Sequence, residues 1–479
     1  METIIKGYKP YSKSVNMLNG KTIYMSREKD EDVLIIAGGD LDFEGNAAEE
    51  NGVKYIKAPL THNNACKLRE YFPFTAPKPV LSTSRTFGVG DRLGVACPGH
   101  LRVFEKYDAI PILAQQSIRE LNLTGRTYDD VLDAVTFAVY REGFKRGFGA
   151  DGDHLKTAEE LEYAIKCGYT MITLDCSEHI RNDINAMSEE QVAKEYHEDE
   201  ALESLYIGKS FDIGEGVTIS FEETEFKRTV LIYIKAIEFA CSIYDKYIKN
   251  NNVDYEISID ETATPTTPLQ HFFVANELKR RGVKFTTMAP RFCGEFQKGV
   301  DYIGDLGQFE KEFSVHATIA RHFGYKISVH SGSDKFSVFP AIGKYTRGMF
   351  HVKTAGTNWL EAMKLVAMKD AKLYREIHVF AIEVFEQAKK YYHVTTQLDR
   401  IPDIDNLDDS ELPNLFSHND CRQLIHITYG LILNAKNPDG SSRFRDRLYK
   451  LWNEHSDEYA NLLEQHIGKH LELLYKNWK

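Results

Sequence analysis

The sequence lacks the features that mark secreted proteins, membrane proteins and nucleic-acid-binding proteins. Its seven cysteines are scattered and show no C-x-x-C spacing, which argues against a disulfide framework or a zinc knuckle and indicates reduced thiols in the cytoplasm. No apolar run approaches the roughly 20 residues that a membrane span needs, and the N-terminus, METIIKGYKP, lacks the basic-then-apolar layout of a signal peptide. The formal net charge of −12 argues against a nucleic-acid partner, because such proteins usually present a basic face.

What the chain does contain is the composition of a globular protein, with 42% hydrophobic and 27% charged residues among 479. From residue 90 onward, apolar stretches of strand length recur about eight times, and helical segments separate most of them. The stretches are LGVACPG (93–99), AIPILAQQS (109–117), GFGADGDH (147–154), TMITLDCS (170–177), YEISIDET (255–262), KFTTMAPRF (284–292), KISVHSGS (326–333) and MFHVKTAGT (349–357). This alternation predicts an α/β fold, most simply a (β/α)8 TIM barrel, with a doubly wound open sheet as the alternative.

The segments on either side of this alternation predict two further regions. Residues 1–84 contain DVLIIAGG and VKYIKAPL and predict a small N-terminal αβ extension. Residues 361–479 predict a helical C-terminal region that either covers the barrel or forms a homo-oligomer surface. The barrel would then occupy residues 85–360, with an acidic insertion at about 178–228 after the fourth strand, where loops lie on the catalytic face of a barrel.

Polar and ionisable residues gather at the C-terminal ends of the predicted strands, which is where barrels form their active sites. They are Gln115, Gln116, Asp151, Asp153, His154, Asp175, Asp260, Glu261, Arg291, His330 and Lys353. Strict alternation along YEISID, MITLD, KISVH and FHVKT turns Asp260, Asp175, His330 and Lys353 toward the barrel axis. The mouth of the barrel therefore combines carboxylates, imidazoles and an amine.

This combination predicts a divalent metal ion, which could be Zn, Mn, Ni, Co or Fe. Glu261 and His330 are the preferred ligands, and His271 and His154 are further candidates. The chain contains neither H-E-x-x-H nor H-x-H, so spacing alone does not specify the site. The alternative is that some of these residues are ordinary core or surface groups.

Two turns of small residues, one after each of the last two predicted strands, predict a cradle for a phosphate or a carboxylate. They are SGSDK (331–335) and KTAGT (353–357), and this end of a barrel is a common anion site. The predicted substrate contacts are Gln115, Gln116, Arg291, Ser331, Ser333, Lys335 and Thr354. The alternative is two ordinary loops in which glycine serves only turn geometry.

A dinucleotide cofactor is not predicted. GVGDRLG (88–94) contains G-x-G, but it precedes the predicted first strand, whereas a dinucleotide loop follows a strand and opens a helix.

The motifs together resemble the tagaturonate epimerase family over roughly residues 85–365. They are GDRLGVACPGHLR, PILAQQSIRELNLTGRT, GFGADGDHLKT, ISIDETATPTTPLQHFFVANELKRRGV, APRFCGEFQKGVDYIGD, SVHSGSDKFS and HVKTAGTNWLEA. The resemblance implies a TIM barrel, a divalent metal ion and the interconversion of the ketouronates D-tagaturonate and D-fructuronate. Some relatives act on the ketohexoses fructose and tagatose.

The implied reaction favours cleavage and re-formation of a carbon–carbon bond. The two ketouronates differ at a carbinol carbon β to the ketone, whose C–H the carbonyl does not acidify, so a retro-aldol route is expected. Glu261, His330 and one or both of His271 and His154 would hold the metal as a Lewis acid.

An inward carboxylate, Asp175 or Asp153, would act as general base, with Asp260 and Lys353 as further candidate catalytic residues. Lys335, Arg291 or the serine turn would hold the substrate carboxylate. A metal-dependent aldolase or ketose isomerase and a non-catalytic sugar-acid binding protein are the alternatives.

Overall fold

The computed structural model describes residues 2–29, 31–39, 41–476 and 478, and the chain begins with an antiparallel sheet. Its strands are β1 (Asn16–Leu18), β2 (Lys21–Glu28), β3 (Glu31–Ala37), β4 (Asn46–Glu50) and β5 (Val53–Ala58). Their order in the sheet is β1-β2-β3-β5-β4. Helix α1 (His62–Tyr71) follows, and it begins where the Thr61 side chain accepts a hydrogen bond from the Asn64 amide. These elements confirm the predicted N-terminal αβ extension.

The remaining strands lie in the middle of the chain. They are β6 (Arg85–Val89), β7 (Ile110–Gln116), β8 (Gly149–Leu155), β9 (Met171–Asp175), β10 (Ser210–Asp212), β11 (Thr218–Ser220), β12 (Asp254–Ile259), β13 (Thr287–Pro290), β14 (Lys326–Val329) and β15 (Phe350–Thr354). Within the described residues, eight of them close into a parallel barrel in the order β12-β13-β14-β15-β6-β7-β8-β9. The predicted (β/α)8 barrel is therefore confirmed, and β10 and β11 form a separate antiparallel hairpin between β9 and β12.

The helices occupy the connections between the barrel strands and most of the chain after β15. They are α2 (Cys97–Lys106), α3 (Ile118–Thr124), α4 (Tyr128–Glu142), α5 (Ala158–Lys166), α6 (Glu189–Glu195), α7 (Glu200–Tyr206), α8 (Glu223–Ile243), α9 (Pro268–Arg280), α10 (Leu306–Phe323), α11 (Phe339–Thr346), α12 (Thr357–Lys369), α13 (Ala371–Glu383), α14 (Phe385–Ala388), α15 (Asn419–Ile427), α16 (Tyr429–Asn434), α17 (Arg445–Glu454) and α18 (Ser456–Tyr475). The helical C-terminal region is thus confirmed.

The prediction of the first barrel strand was wrong. That strand is β6; residues 93–96 form a turn, and residues 97–99 are the first residues of α2. The Asp91 carboxylate accepts hydrogen bonds from the amides of Leu93, Gly94 and Ala96, which holds this apolar stretch in a turn. Pro98 in the first turn of α2 then favours a helix start.

GVGDRLG therefore lies at the end of a strand and precedes a helix, contrary to the prediction. It still does not match the dinucleotide fingerprint, because Leu93 stands where the third glycine of G-x-G-x-x-G is needed.

Contacts divide the chain into two compact units. One comprises residues up to 78, 89–150 and 355–469. It contains two hydrophobic cores. In one, the N-terminal sheet packs with α1 and α4, and the other is formed mainly by the helices from α12 onward. The other comprises residues 79–88, 151–354 and those from 470 onward. The polar strand ends discussed below belong mainly to this second unit.

The inward side chains of the strands in the second unit are polar, although barrel interiors are usually filled by branched apolar residues. Glu256 of β12 pairs with Thr173 of β9 on one side and with Thr287 of β13 on the other, and all three are fully buried. The alternate residues Ile257 and Ile259 are apolar and equally buried. A polar layer therefore lies inside an apolar shell.

Across the part of the chain that the structure describes, none of the helices combines the length and the apolar character that crossing a membrane requires.

Candidate metal centre

Four strands of the second unit bring imidazoles and carboxylates together at their C-terminal ends. His154 lies near the end of β8, Asp175 ends β9, Asp260 and Glu261 follow β12, and His330 follows β14. Ligand atoms of His154, Asp260 and His330 lie within 4.8 Å of one another, and so do those of His154, Asp175 and Glu261. The structure thus brings together most of the predicted metal and catalytic residues.

His330 is held between two carboxylates. Its Nε2 lies 2.7 Å from Glu256 Oε1, and its Nδ1 lies 3.2 Å from Asp260 Oδ1. Burial lowers the pKa of His330, but Asp260 and Glu256 outweigh it and raise the pKa to about 9. This environment favours a positive charge, either as a proton on the ring or as a cation next to it.

His154 is the second imidazole of the cluster, and its backbone is strained. Its φ of 54° lies in the left-handed region, which residues other than glycine adopt at an energetic cost. This backbone conformation accompanies a ring whose Nδ1 lies 3.5 Å from Asp175 Oδ2 and whose Nε2 lies 3.8 Å from Asp153 Oδ1. Burial lowers the pKa of His154, whereas Asp153 and Asp175 raise it to about 10.

Lys353 of β15 lies in a cage of carboxylates. Its Nζ is 2.7 Å from Asp151 Oδ2, 3.3 Å from Glu256 Oε1 and 2.7 Å from Thr173 Oγ1, and it also contacts Asp153. Burial lowers the pKa of this amine, but Asp151 and Asp153 raise it well above its usual value. Lys353 is therefore a fixed cation, and it lacks the neutral amine that a Schiff base would need.

The residues of the cluster fit a divalent cation. The side chains of five acidic residues surround the two imidazoles and a single buried ammonium: Asp151, Asp153, Asp175, Glu256 and Asp260. Among the described residues, His154 Nδ1, His330 Nδ1 and Asp175 Oδ2 are buried and have no hydrogen-bond partner. Two imidazoles and a carboxylate, as in the group of His154, Asp260 and His330, are a donor set for Zn, Mn, Fe, Co or Ni, and an ion bound there would give the imidazole nitrogens a partner.

His271, a predicted metal ligand, is not brought to this cluster. It is buried in α9, where Nδ1 lies 2.9 Å from His316 Nδ1 and Nε2 lies 2.6 Å from the Tyr325 hydroxyl. Both ring nitrogens are therefore engaged, one by His316 of α10 and the other by Tyr325, the residue before β14. The sequence pattern placed His271 after the β12 loop, but the helix turns it into the core.

The predicted anion cradle is braced by backbone contacts. The buried Lys335 ammonium donates to the carbonyls of Gln297, Val300 and Ser333, at 2.8, 2.7 and 2.9 Å. Thr354 donates its hydroxyl to the Gly88 carbonyl at 2.8 Å. These side chains hold loops in place, because their donors point at main-chain oxygens.

The other predicted substrate contacts are placed differently. Arg291 donates to the Thr262 carbonyl and lies 3.6 Å from Glu295, so it supports the loop after β12. Ser331 accepts a hydrogen bond from Lys298 at 3.2 Å, and Ser333 is buried.

Gln115 and Gln116 end β7, which lies in the first unit, and both are buried. Neither end of the Gln116 amide has a hydrogen-bond partner among the described residues. Both glutamines stay predicted substrate contacts.

Sequence reasoning missed Glu256, whose carboxylate contacts Nε2 of His330. The signal was available, because Glu256 has the same parity in YEISID as Ser258 and Asp260, which were predicted to face the barrel axis. It was overlooked because it precedes the strand end by several residues.

Comparisons with known proteins find relatives of matching length. A family model described as tagaturonate epimerase matches residues 11–474. The tagaturonate/fructuronate epimerase of Thermotoga maritima is 42% identical over 481 residues, spanning 98% of this chain and 97% of that protein. Two crystal structures of the fructuronate-tagaturonate epimerase UxaE from Cohnella laeviribosi are 48% identical with a TM-score of 0.94, and each aligns with 98% of this chain. The alignment covers 97% of the chain in the native crystal structure and 96% of the chain in the complex with one glycerol.

Proposed function

This chain belongs to the tagaturonate epimerase family and is an isomerase, and we propose that it interconverts D-tagaturonate and D-fructuronate with a bound divalent metal ion. The observation that carries the metal-dependent part is the cluster of His154, Asp260 and His330, whose ligand atoms lie within 4.8 Å of one another. Relatives named for this reaction align over nearly the full length of the chain.

His154, Asp260 and His330 would hold the metal. A divalent ion bound there supplies a Lewis acid that polarises a ketone oxygen. Asp175 Oδ2 lies 3.5 Å from His154 Nδ1, and Asp175 Oδ1 accepts a hydrogen bond from the Ser177 amide at 2.8 Å. Asp260, which the sequence suggested as catalytic, contacts the Ser258 hydroxyl and His330 and is assigned here as a ligand.

Glu261 is our choice for the general base. It is the exposed carboxylate of the cluster, whereas Asp153 and Asp175 are buried. Burial raises the pKa of Asp153, but Lys353 and the nearby imidazoles outweigh it and lower the pKa to about 2, which makes this carboxylate a weak base. Burial also raises the pKa of Asp175, but the neighbouring His154 imidazole outweighs it and lowers the pKa.

The proposed chemistry is a retro-aldol cleavage followed by re-addition. Glu261 accepts the proton of the hydroxyl on the carbon β to the ketone. The bond between that carbon and the α carbon then breaks, leaving an aldehyde and an enediolate. The aldehyde turns, the carbon–carbon bond re-forms on its other face, and Glu261 returns the proton to the new hydroxyl. Lys353 pairs with the surrounding carboxylates and holds them in place throughout.

The test is a metal-reconstituted assay. The chelator-treated protein receives one divalent ion at a time with D-tagaturonate, and NMR follows the products. We expect D-fructuronate to form with metal and not with chelator. Free aldehyde and three-carbon products would indicate an aldolase, and the absence of turnover with all of Zn, Mn, Ni, Co and Fe would contradict the proposal.

A further inference from the structure

We propose that Glu256 is a positioning residue for the metal centre, because it fixes the tautomer and the orientation of His330. This inference rests on the metal site of the proposed function. Its test can be read without any substrate.

The Glu256 carboxylate is held rigidly by the strands on either side. Thr173, its partner in β9, donates a hydroxyl to Oε1 at 3.1 Å, and Thr287, its partner in β13, donates to Oε2 at 2.6 Å. Lys353 approaches Oε1 at 3.3 Å. The side chain is fully buried, so its direction is set by β9, β12, β13 and β15 together.

This carboxylate determines which nitrogen of His330 faces the cluster. Oε1 lies 2.7 Å from Nε2, and a carboxylate surrounded by donors accepts hydrogen bonds, so the proton of this contact lies on Nε2. The lone pair of the neutral ring is then on Nδ1, the nitrogen that lies 3.2 Å from Asp260 and is buried without a hydrogen-bond partner in the described structure. A carboxylate behind a metal-binding histidine also raises its basicity as a ligand.

A different role for Glu256 would be to neutralise Lys353. Asp151 provides the comparison, because it contacts the same ammonium at 2.7 Å and accepts from the same Thr173 hydroxyl at 2.9 Å. Of these two residues, Glu256 is the one that contacts His330 in the described structure. Glu256→Gln and Asp151→Asn therefore each remove one buried carboxylate from Lys353, and Glu256→Gln also changes the partner of His330.

The experiment measures the affinity of the full-length chain for Co²⁺ alone. Chelator competition gives the dissociation constant, and the visible absorption bands of bound Co²⁺ report its ligand field. We expect Glu256→Gln to weaken Co²⁺ binding by about 10- to 100-fold and to alter the absorption bands. Asp151→Asn should change affinity by less than about threefold and leave the bands as in the wild type. Circular dichroism of the metal-free variants checks that each is folded.

Thr287→Val provides a second variant in case Glu256→Gln does not fold. It keeps the charge but removes the hydroxyl that holds Oε2, so we expect weaker Co²⁺ binding in the same direction but by a smaller factor.

Equal losses in Glu256→Gln and Asp151→Asn would overturn the positioning role in favour of simple charge balance. Unchanged affinity in the folded Glu256 and Thr287 variants would overturn it outright, as would a wild type that binds no Co²⁺. Failure of the wild type to convert D-tagaturonate would overturn the proposed function instead, because that assay is separate from the metal titration.

Discussion

The carboxylates of the cluster differ in exposure, and we assign the role of general base to the exposed one. Glu261 is exposed, whereas Asp175 is buried and hydrogen-bonded to the Ser177 amide. If Glu261 is the base, Glu261→Gln should lower kcat by about 10²- to 10⁴-fold while the metal content stays at the wild-type level. Steady-state kinetics and elemental analysis of the same preparation measure both quantities.

Glu178→Gln is the matched control for this prediction. Glu178 is an exposed glutamate near the same site and lies 3.6 Å from Lys156. This substitution should leave kcat within about twofold of the wild-type value, since Glu178 does not accept a proton from the substrate in the proposed reaction. Loss of metal from Glu261→Gln would instead identify Glu261 as a ligand, as the sequence first suggested.

A buried lysine gives a prediction for the dependence of stability on pH. Burial lowers the pKa of Lys326 to about 7, although its ammonium donates to the Thr83 carbonyl and the Thr86 hydroxyl. Between about pH 7 and the unfolded pKa of about 10.4, the folded protein has lost this proton and the unfolded chain still binds it. The free energy of unfolding should therefore rise with pH in this window, by up to about 1.4 kcal/mol per pH unit.

Lys326→Met isolates this contribution. Chemical denaturation of both proteins from pH 6.5 to 10 should show a difference in unfolding free energy that changes with pH in the window and is flat below it. A constant difference across the whole range would show that Lys326 keeps its proton in the folded state.

At the scale of elements, the loop after β12 is tethered from two directions. Asn182 accepts a hydrogen bond from the Ala263 amide at 2.8 Å, and Asn185 donates to the Thr264 hydroxyl at 2.7 Å. Both asparagines precede α6 in the insertion, and Glu261 is the second residue of the loop, after Asp260. The insertion therefore helps to position the proposed base.

Replacing both asparagines by alanine should loosen this loop. We expect faster amide hydrogen exchange in residues 261–266 and a several-fold lower kcat, because a misplaced base loses catalytic efficiency. Metal affinity should change little, since His154, Asp260 and His330 keep their contacts. Asn251→Ala, at an exposed turn before β12, is the control, and exchange in the loop as slow as in the wild type would contradict the tether.

The sequence predicted elements better than individual contacts. Seven of the barrel strands were found because short apolar runs alternate with helices. The first was missed because LGVA is apolar, and its turn depends on hydrogen bonds to the Asp91 carboxylate. The residues near His330 were found because strand parity is a local property. The role of Lys335 could not be found, because whether a lysine meets an anion or three carbonyls depends on distant segments.

At the scale of the whole molecule, metal binding should stabilise the fold. An ion that binds only the folded state adds about 2.7 kcal/mol at a free concentration of 100 times its dissociation constant. Thermal unfolding should therefore shift upward when metal is added to the chelator-treated wild type. His330→Ala should lose this shift, because it removes a proposed ligand.

His271→Gln tests the other assignment in the same experiment. It should lower the baseline unfolding temperature, because it disturbs a buried hydrogen bond with Tyr325, but its shift on metal addition should match that of the wild type. If the folded His271→Gln variant shows no shift of its unfolding temperature when metal is added, His271 would be a metal ligand after all.

The carboxylate cage around Lys353 also constrains how this sequence can diverge. Asp151, Asp153 and Glu256 share one buried ammonium, so replacing Lys353 alone would leave three buried carboxylates without their shared cation. Replacement of Lys353 should therefore be harmful alone and better tolerated when the acids around it are replaced as well. During evolution this lysine should be lost only together with its acidic partners, so the cage should change more slowly than the surface of the same barrel.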